Sequence, residues 1–285
     1  MSNRWLRFFN IGSGAWQQRL KWTVYALLFL DFVLYFIQDV ESAVYTLGSN
    51  PSLLDRARAY VTSIDLAAWF VLILFFELET YVRSESLRQG VVKWSMHGVR
   101  LLCYVAILHT TMTDAGYVRN FRAAEALPPA GDLCAYTSDD WSFLRNRGYT
   151  VLDEDNCATI GTGPDFYVVR PDPVITDRAG LREGRILSWT DLAENLAWLL
   201  IVFGNEIVVR MHGKSAKRGA LLAFIDRAKA TLYVLIVCIA CYWGSKGQIL
   251  YFWDELLWVC GFVAIEKNIL DWRAQMLGRP RAHTR

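Results

Sequence analysis

Carboxylates are the side chains of this sequence whose type and spacing point to chemistry. Asp65-x3-Trp69-x7-Glu77, Glu194-x3-Trp198-x7-Glu206 and Asp254-x3-Trp258-x7-Glu266 share one spacing, each inside an otherwise apolar stretch. A second signature, Lys-x-[Ser/Thr]-x-[Tyr/His], recurs as Lys21 to Tyr25, Lys93 to His97 and Lys229 to Tyr233. Carboxylates surrounded by lipid are costly unless they pair or face water, so they mark ion or proton pathways by default. Rings of Asp and Glu select cations by local charge. The spacing therefore predicts a polar layer of Glu77, Glu206 and Glu266 with Tyr25, His97 and Tyr233, and an outer acidic ring of Asp65, Glu194 and Asp254. The same residues admit a bracing role, each Glu tying its hairpin together through Lys and Tyr or His. The three Trp read as packing or interface anchors.

Two more charges fall inside apolar runs. Asp31 lies ten residues beyond Lys21 and Arg100 seven beyond Lys93, on helices expected to run the same way. Their depths then agree to about one turn, which predicts an Asp31–Arg100 ion pair.

The elements that must hold these groups follow from composition. The 285 residues are 54% hydrophobic and 20% charged, against about 45–50% and about 25% in soluble domains. Crossing ~30 Å of hydrocarbon takes about 20 mostly apolar residues. Six windows qualify: Trp22 to Val40, Tyr60 to Val82, Val91 to Met112, Ile186 to Val209, Ala230 to Trp243 and Gln248 to Leu270. Twelve helical residues rise only ~18 Å, so the upper acid and lower Glu of one helix cannot both lie at the two interfaces.

Lys and Arg cluster in the N-terminal arm, at Arg83 to Lys93, at Arg210 to Lys229 and in the tail from Lys267. The positive-inside rule then places both termini in the cytoplasm of a cell bounded by this inner membrane. Thr113 to Arg185 breaks the pattern, with five of the seven prolines, 12 acids against eight Arg, and no Lys. It reads as a folded external domain in which Tyr167-Val-Val-Arg-Pro forms a strand ended by proline. Cys134 and Cys157 fall there, where an oxidising compartment favours a disulfide closing about 24 residues, worth ~3 kcal/mol.

The expected fold is an all-α integral membrane protein. Six transmembrane helices form three helical-hairpin repeats in a pseudo-threefold bundle, and a small disulfide-bonded α+β or irregular domain is inserted between helices three and four. The organisation is membrane region 1–112, external domain 113–185, and membrane region plus cytoplasmic tail 186–285.

Two local likenesses bear on function. Phe76-Glu-Leu-Glu79-Thr-Tyr-Val-Arg83 and Phe203-Gly-Asn-Glu206-Ile-Val-Val-Arg210 are similar to the second helix of voltage-sensor domains of ion channels. No helix carries the ladder of arginines that voltage sensing needs. Cys238-Ile-Ala-Cys241, with Cys134 and Cys157 on the same side, resembles the paired cysteines of membrane thiol oxidoreductases that pass electrons to quinone.

Near-zero net charge leaves no electrostatic footprint for nucleic acid. His97 and His109 share a helix too far apart for one metal, and no cofactor or catalytic motif is present, so neither metal nor cofactor is assigned. The partners are the lipid bilayer and a second copy or a membrane-complex subunit. The leading functional expectation is an ion- or proton-conducting channel or transporter. The alternatives are a non-catalytic subunit or sensor whose external domain binds a partner, and a thiol-disulfide oxidoreductase.

Overall fold

Within lipid a long apolar run satisfies its own backbone polar groups as a helix, and the described residues of each of the six windows lie largely on one long helix. The computed structural model describes residues 14–47, 50–81, 90–127, 133–137, 141–160, 165–210 and 216–276. Among these, α1 (Gly14–Thr46), α2 (Leu53–Ala59), α3 (Val61–Tyr81) and α4 (Gly90–Arg122) precede a small sheet, and α5 (Arg178–Arg210), α6 (Ala216–Ser245) and α7 (Ile249–Met276) follow it. Trp22–Thr46 and Arg178–Val208 are long and apolar enough to cross a membrane. Leu53–Ala59 with Val61–Phe75, bent by 73°, makes a third if the pair is one span.

The six long helices pack in a ring in chain order, α1–α3–α4–α5–α6–α7, and α7 closes it on α1. Large apolar side chains fill the centre, among them Leu72, Ile73, Ile107, Ile201, Ile236 and Phe262. Others face outward: Phe29, Leu30, Leu101, Leu102, Phe203, Phe224 and Val234 are all exposed. The outer helix faces are therefore apolar, while carboxylates such as Asp31, Asp254 and Glu255 are buried.

Local chemistry sets the break between α2 and α3. Ser52 caps α2 in a capping box with Asp55. The N-terminal turn of α3 is capped from another helix: Ser63 N–H and Oγ donate to Asp39 Oδ2 of α1, at 2.8 and 2.7 Å.

The inserted segment forms β1 (Glu125–Ala126), β2 (Ser142–Arg145), β3 (Gly148–Val151), β4 (Phe166–Val168) and β5 (Val174–Asp177), in the order β1-β4-β5-β2-β3. Among the described strands only the β2–β5 pair is parallel. Leu133, Phe143, Leu152, Val168 and Ile175 make its core beside the Cys134–Cys157 disulfide, which forms as the sequence predicts. The sheet joins α5 through Asp177, whose Oδ1 accepts from Gly180 N–H at 2.7 Å while Oδ2 takes Arg145 at 2.7 Å. A Cβ on Gly180 would lie 2.2 Å from Thr176 Oγ1, so this turn requires glycine.

Candidate functional site: a carboxylate cavity at the sheet end of the bundle

The three Trp of the shared spacing meet in the middle of the ring. Trp69 lies 6.4 Å from Trp258 and 6.0 Å from Phe262 between ring centroids. Trp198 lies 5.0 Å and Trp258 6.3 Å from the same Phe262. Residues four apart share a helix face, so Asp65, Glu194 and Asp254 stand one turn above this aromatic floor, toward the sheet. All three line one cavity of about 130 Å³, together with Asp114 of α4, Asp191 of α5 and Glu255 of α7.

Some of these acids have donors. Trp198 Nε1–H donates to Glu255 Oε2 at 3.1 Å, and Asn195 Nδ2 donates to Asp114 Oδ2 at 3.1 Å while its Oδ1 accepts from Thr111 at 3.2 Å. Others face one another: Glu194 lies against Glu255, and Asp31 of α1 against Asp254. Among the described residues, both Asp31 oxygens, Asp254 Oδ1 and Asp65 Oδ1 find no hydrogen-bond donor, although all are enclosed. Tyr35 OH and Trp243 Nε1, which border the same cavity, also lack partners. Carboxyls in contact cannot all be ionised without a compensating cation, so such a cluster holds protons, a cation or both.

Among the described residues Arg147 is the one basic residue in the lining, and it arrives from the sheet. Arg145 pairs with Gly148 across a two-residue hairpin turn, in which Asn146 and Arg147 have φ of 47° and 65°. A turn with both central residues at positive φ favours Gly at its second position. Arg147 occupies that position at a cost of about 1–2 kcal/mol, and strain of this kind persists where surrounding contacts impose it. Its guanidinium pairs with Asp191 and lies over two rings, 4.4 Å from the Tyr251 centroid and 5.9 Å from that of Trp243. Burial opposes the charge, but the Asp191 carboxylate holds the guanidinium protonated. The α6–α7 loop pins the turn: Asn146 Nδ2 donates to Lys246 O at 3.0 Å and Gln248 Nε2 to Asn146 O at 2.7 Å.

A second cavity of about 190 Å³ lies on the sheet side of Arg147, bordered by Asp39, Arg58, Tyr117 and Tyr149. The two cavities share Val61, Thr62, Asp114, Arg147, Asp191 and Tyr251, so Arg147 sits at the neck between a vestibule and an inner chamber. Tyr149 stacks on Tyr45 of α1 at 5.9 Å. Burial, with Tyr117 and Asp172 nearby, pushes the Tyr149 phenol above its ordinary range.

The other sequence-derived candidates are dispersed. Glu206 accepts from Arg100 at 3.5 Å and from Tyr104 at 3.4 Å. The expected Asp31–Arg100 pair is thus replaced: Arg100 turns to α5, and Asp31, on the α7 side of α1, meets Asp254. Equal depth along two helices does not set which way their side chains face. Tyr25 and Tyr233 are buried, Tyr233 against the Trp198 ring at 6.1 Å, while His97 is exposed. Lys229 donates to Asn205 Oδ1 at 2.8 Å. The side chains of Glu77 and Glu266 lie outside the described residues. Cys238 and Cys241 carry free thiols on the exposed face of α6.

Sequence reasoning missed Asp114, Asp191, Glu255 and Arg147. Asp191 and Glu255 lie within the apolar windows and Asp114 two residues past one, a signal open to counting every acid in a span rather than only the repeated ones. Arg147 had a weaker signal, an Asn-Arg-Gly turn between two apolar-aromatic strands.

Fold and site together define a helical protein with, among the described residues, two or three helices apolar enough for a membrane, an inserted disulfide-bonded sheet, and a carboxylate-lined chamber. The chain matches no protein family, no curated protein and no solved structure.

Proposed function

We propose that this chain is a polytopic inner-membrane protein that carries protons or cations by way of the carboxylate chamber. In this reading the six long helices are six spans forming three hairpins around a pseudo-threefold axis, with both termini cytoplasmic and the sheet domain periplasmic. The observation that carries it is the lining itself: Asp65, Glu194 and Asp254, from three helices with one spacing, border a single cavity with Asp114, Asp191 and Glu255 and, among the described residues, only one basic side chain. Carboxylates gathered in one cavity of an otherwise apolar bundle suit a protein that lowers the barrier for charge within lipid. The distribution of Lys and Arg supports the orientation.

The functional acids are then the outer ring and its neighbours rather than the Glu77, Glu206 and Glu266 layer, because Glu206 is engaged by Arg100 and Tyr104. The floor of Trp69, Trp198, Trp258 and Phe262 borders the chamber on the side away from the sheet. A floor of packed rings favours a transporter, which opens to one side at a time, over a continuously open channel.

Proton and sodium flux in proteoliposomes tests the reading. Asp65→Asn, Glu194→Gln and Asp254→Asn should each lower flux by about tenfold or more, the effect of a lost charge-stabilising contact of ~1.4 kcal/mol. Flux that persists in the triple variant sinks the proposal.

One observation favours a second reading, a sensor subunit whose external domain binds a partner. Through Arg147 the sheet domain contacts the chamber directly, so a partner bound to the sheet has a physical route to the helices. Under that reading, removal of residues 131–182 abolishes the protein's associations in the membrane; associations that survive the deletion argue against it.

A further inference from the structure

The neck holds a cation in a seat built from one carboxylate and two aromatic faces. The Arg147 guanidinium pairs with Asp191 and lies 4.4 Å over Tyr251 and 5.9 Å from Trp243. Beyond it, the chamber keeps acceptor atoms with no partner, Tyr35 OH and Asp254 Oδ1, on residues that are 1% and 9% exposed. At about 130 Å³ the chamber is roughly tenfold larger than the ~10–15 Å³ that one water needs. Among the described residues no three His, Cys, Asp or Glu side chains converge as a metal cradle. Carboxylates spread around aromatic walls instead suit a delocalised or alkylated cation, which gains from ring faces as well as charge.

We propose that the chamber is a receptor for a small organic cation, a guanidinium or alkylammonium, and that Arg147 is its tethered occupant at the neck, displaced when the ligand enters from the vestibule. This rests on reading the cavity as a cation site and specifies its ligand class and its gate. The turn suits a displaceable occupant. Arg147 is strained at φ 65°, and Asn146 beside it is held separately by the α6–α7 loop, so the side chain can leave without the hairpin undocking. A seat filled by its own arginine weakens apparent affinity by the fraction of time it stands free, so a free fraction of about one-tenth would cost about tenfold.

The test titrates methylguanidinium into the full chain in lipid nanodiscs, read by tryptophan fluorescence and calorimetry, with sodium chloride at matched ionic strength as control. Arg147→Gln should bind methylguanidinium about tenfold more tightly than the unaltered chain. Adding Tyr251→Leu should cancel the gain. Binding that is no tighter in Arg147→Gln, or an equal response to sodium chloride, overturns the proposal. If Arg147→Gln loses its near-ultraviolet circular dichroism, Arg147→Lys serves instead. It keeps the charge at Asp191 without the planar fork and should give an intermediate gain, and unchanged binding again overturns the proposal. Carboxylate-dependent proton or sodium flux with no methylguanidinium binding in either variant rejects the receptor and leaves the transport reading intact. Tight binding with carboxylate-independent flux does the reverse.

Discussion

Trp198 Nε1–H donates to Glu255 Oε2 across 3.1 Å, tying α5 to α7 where the aromatic floor meets the carboxylates. Both side chains are buried, so the bond cannot be replaced by water at the surface. Trp198→Phe keeps most of the ring packing but leaves a buried carboxyl without that donor, which costs about 1–3 kcal/mol. Thermal unfolding in detergent should show Trp198→Phe melting below the unaltered chain. Equal melting points would mean that the contact is only packing.

Gly184 of α5 faces Phe121 of α4. A Cβ there would lie 2.2 Å from Phe121 Cε1, and the Phe121 backbone is itself held by Arg185 Nε–H at 2.9 Å. Gly184→Ala therefore forces the ring or the helices apart, an overpacking cost of about 1–3 kcal/mol. Chemical denaturation measures it, and a variant as stable as the parent would refute the close approach.

The Cys134–Cys157 bridge closes a loop with a sequence separation of 23 beside the small core of the sheet domain. Replacing both by Ser removes ~3 kcal/mol by the chain-entropy account. Limited proteolysis should then cut within residues 133–160 before it cuts the helices. Unaltered cleavage order would show that docking on the helices, rather than the bridge, holds the sheet.

Asp172, in the loop between β4 and β5, is pushed above its ordinary value of 3.8 by burial, with Arg58 opposing and Asp55 adding to the shift. A folded-state value above the unfolded one means that the folded chain binds the proton more tightly. That contribution is fully present below 3.8 and is lost as pH rises through the raised value. Asp172→Asn carries no such loss, so it should gain stability over the parent above this window and none below it. Melts at acidic and neutral pH decide the matter, and a constant difference between variant and parent at both would contradict the assignment.

Legibility in the sequence followed the physics of each feature. Asp65, Glu194 and Asp254 were readable because an acid inside an apolar run is costly wherever it points, and identical spacing to a Trp marks a common helix face. Glu206 was readable as a buried acid but not its partners. Tyr104 and Arg100 reach it because of how α4 rotates against α5, which no one-dimensional count of depth contains. Asp31 went astray for the same reason, its facing helix being α7 rather than α4.

What the sequence by itself determined is the set of long helices, the inserted domain with its disulfide, and the presence of acids among apolar residues. These depend on composition and local period, which the chain carries in order. Only the tertiary structure decided that the ring closes α7 onto α1, that three matched Trp share one Phe262, and that Arg147 enters the chamber from a domain remote in sequence. The physical reason is that helix rotation and hairpin docking are set by many weak side-chain contacts acting together, so a residue's neighbours across the ring exist only once the ring has formed.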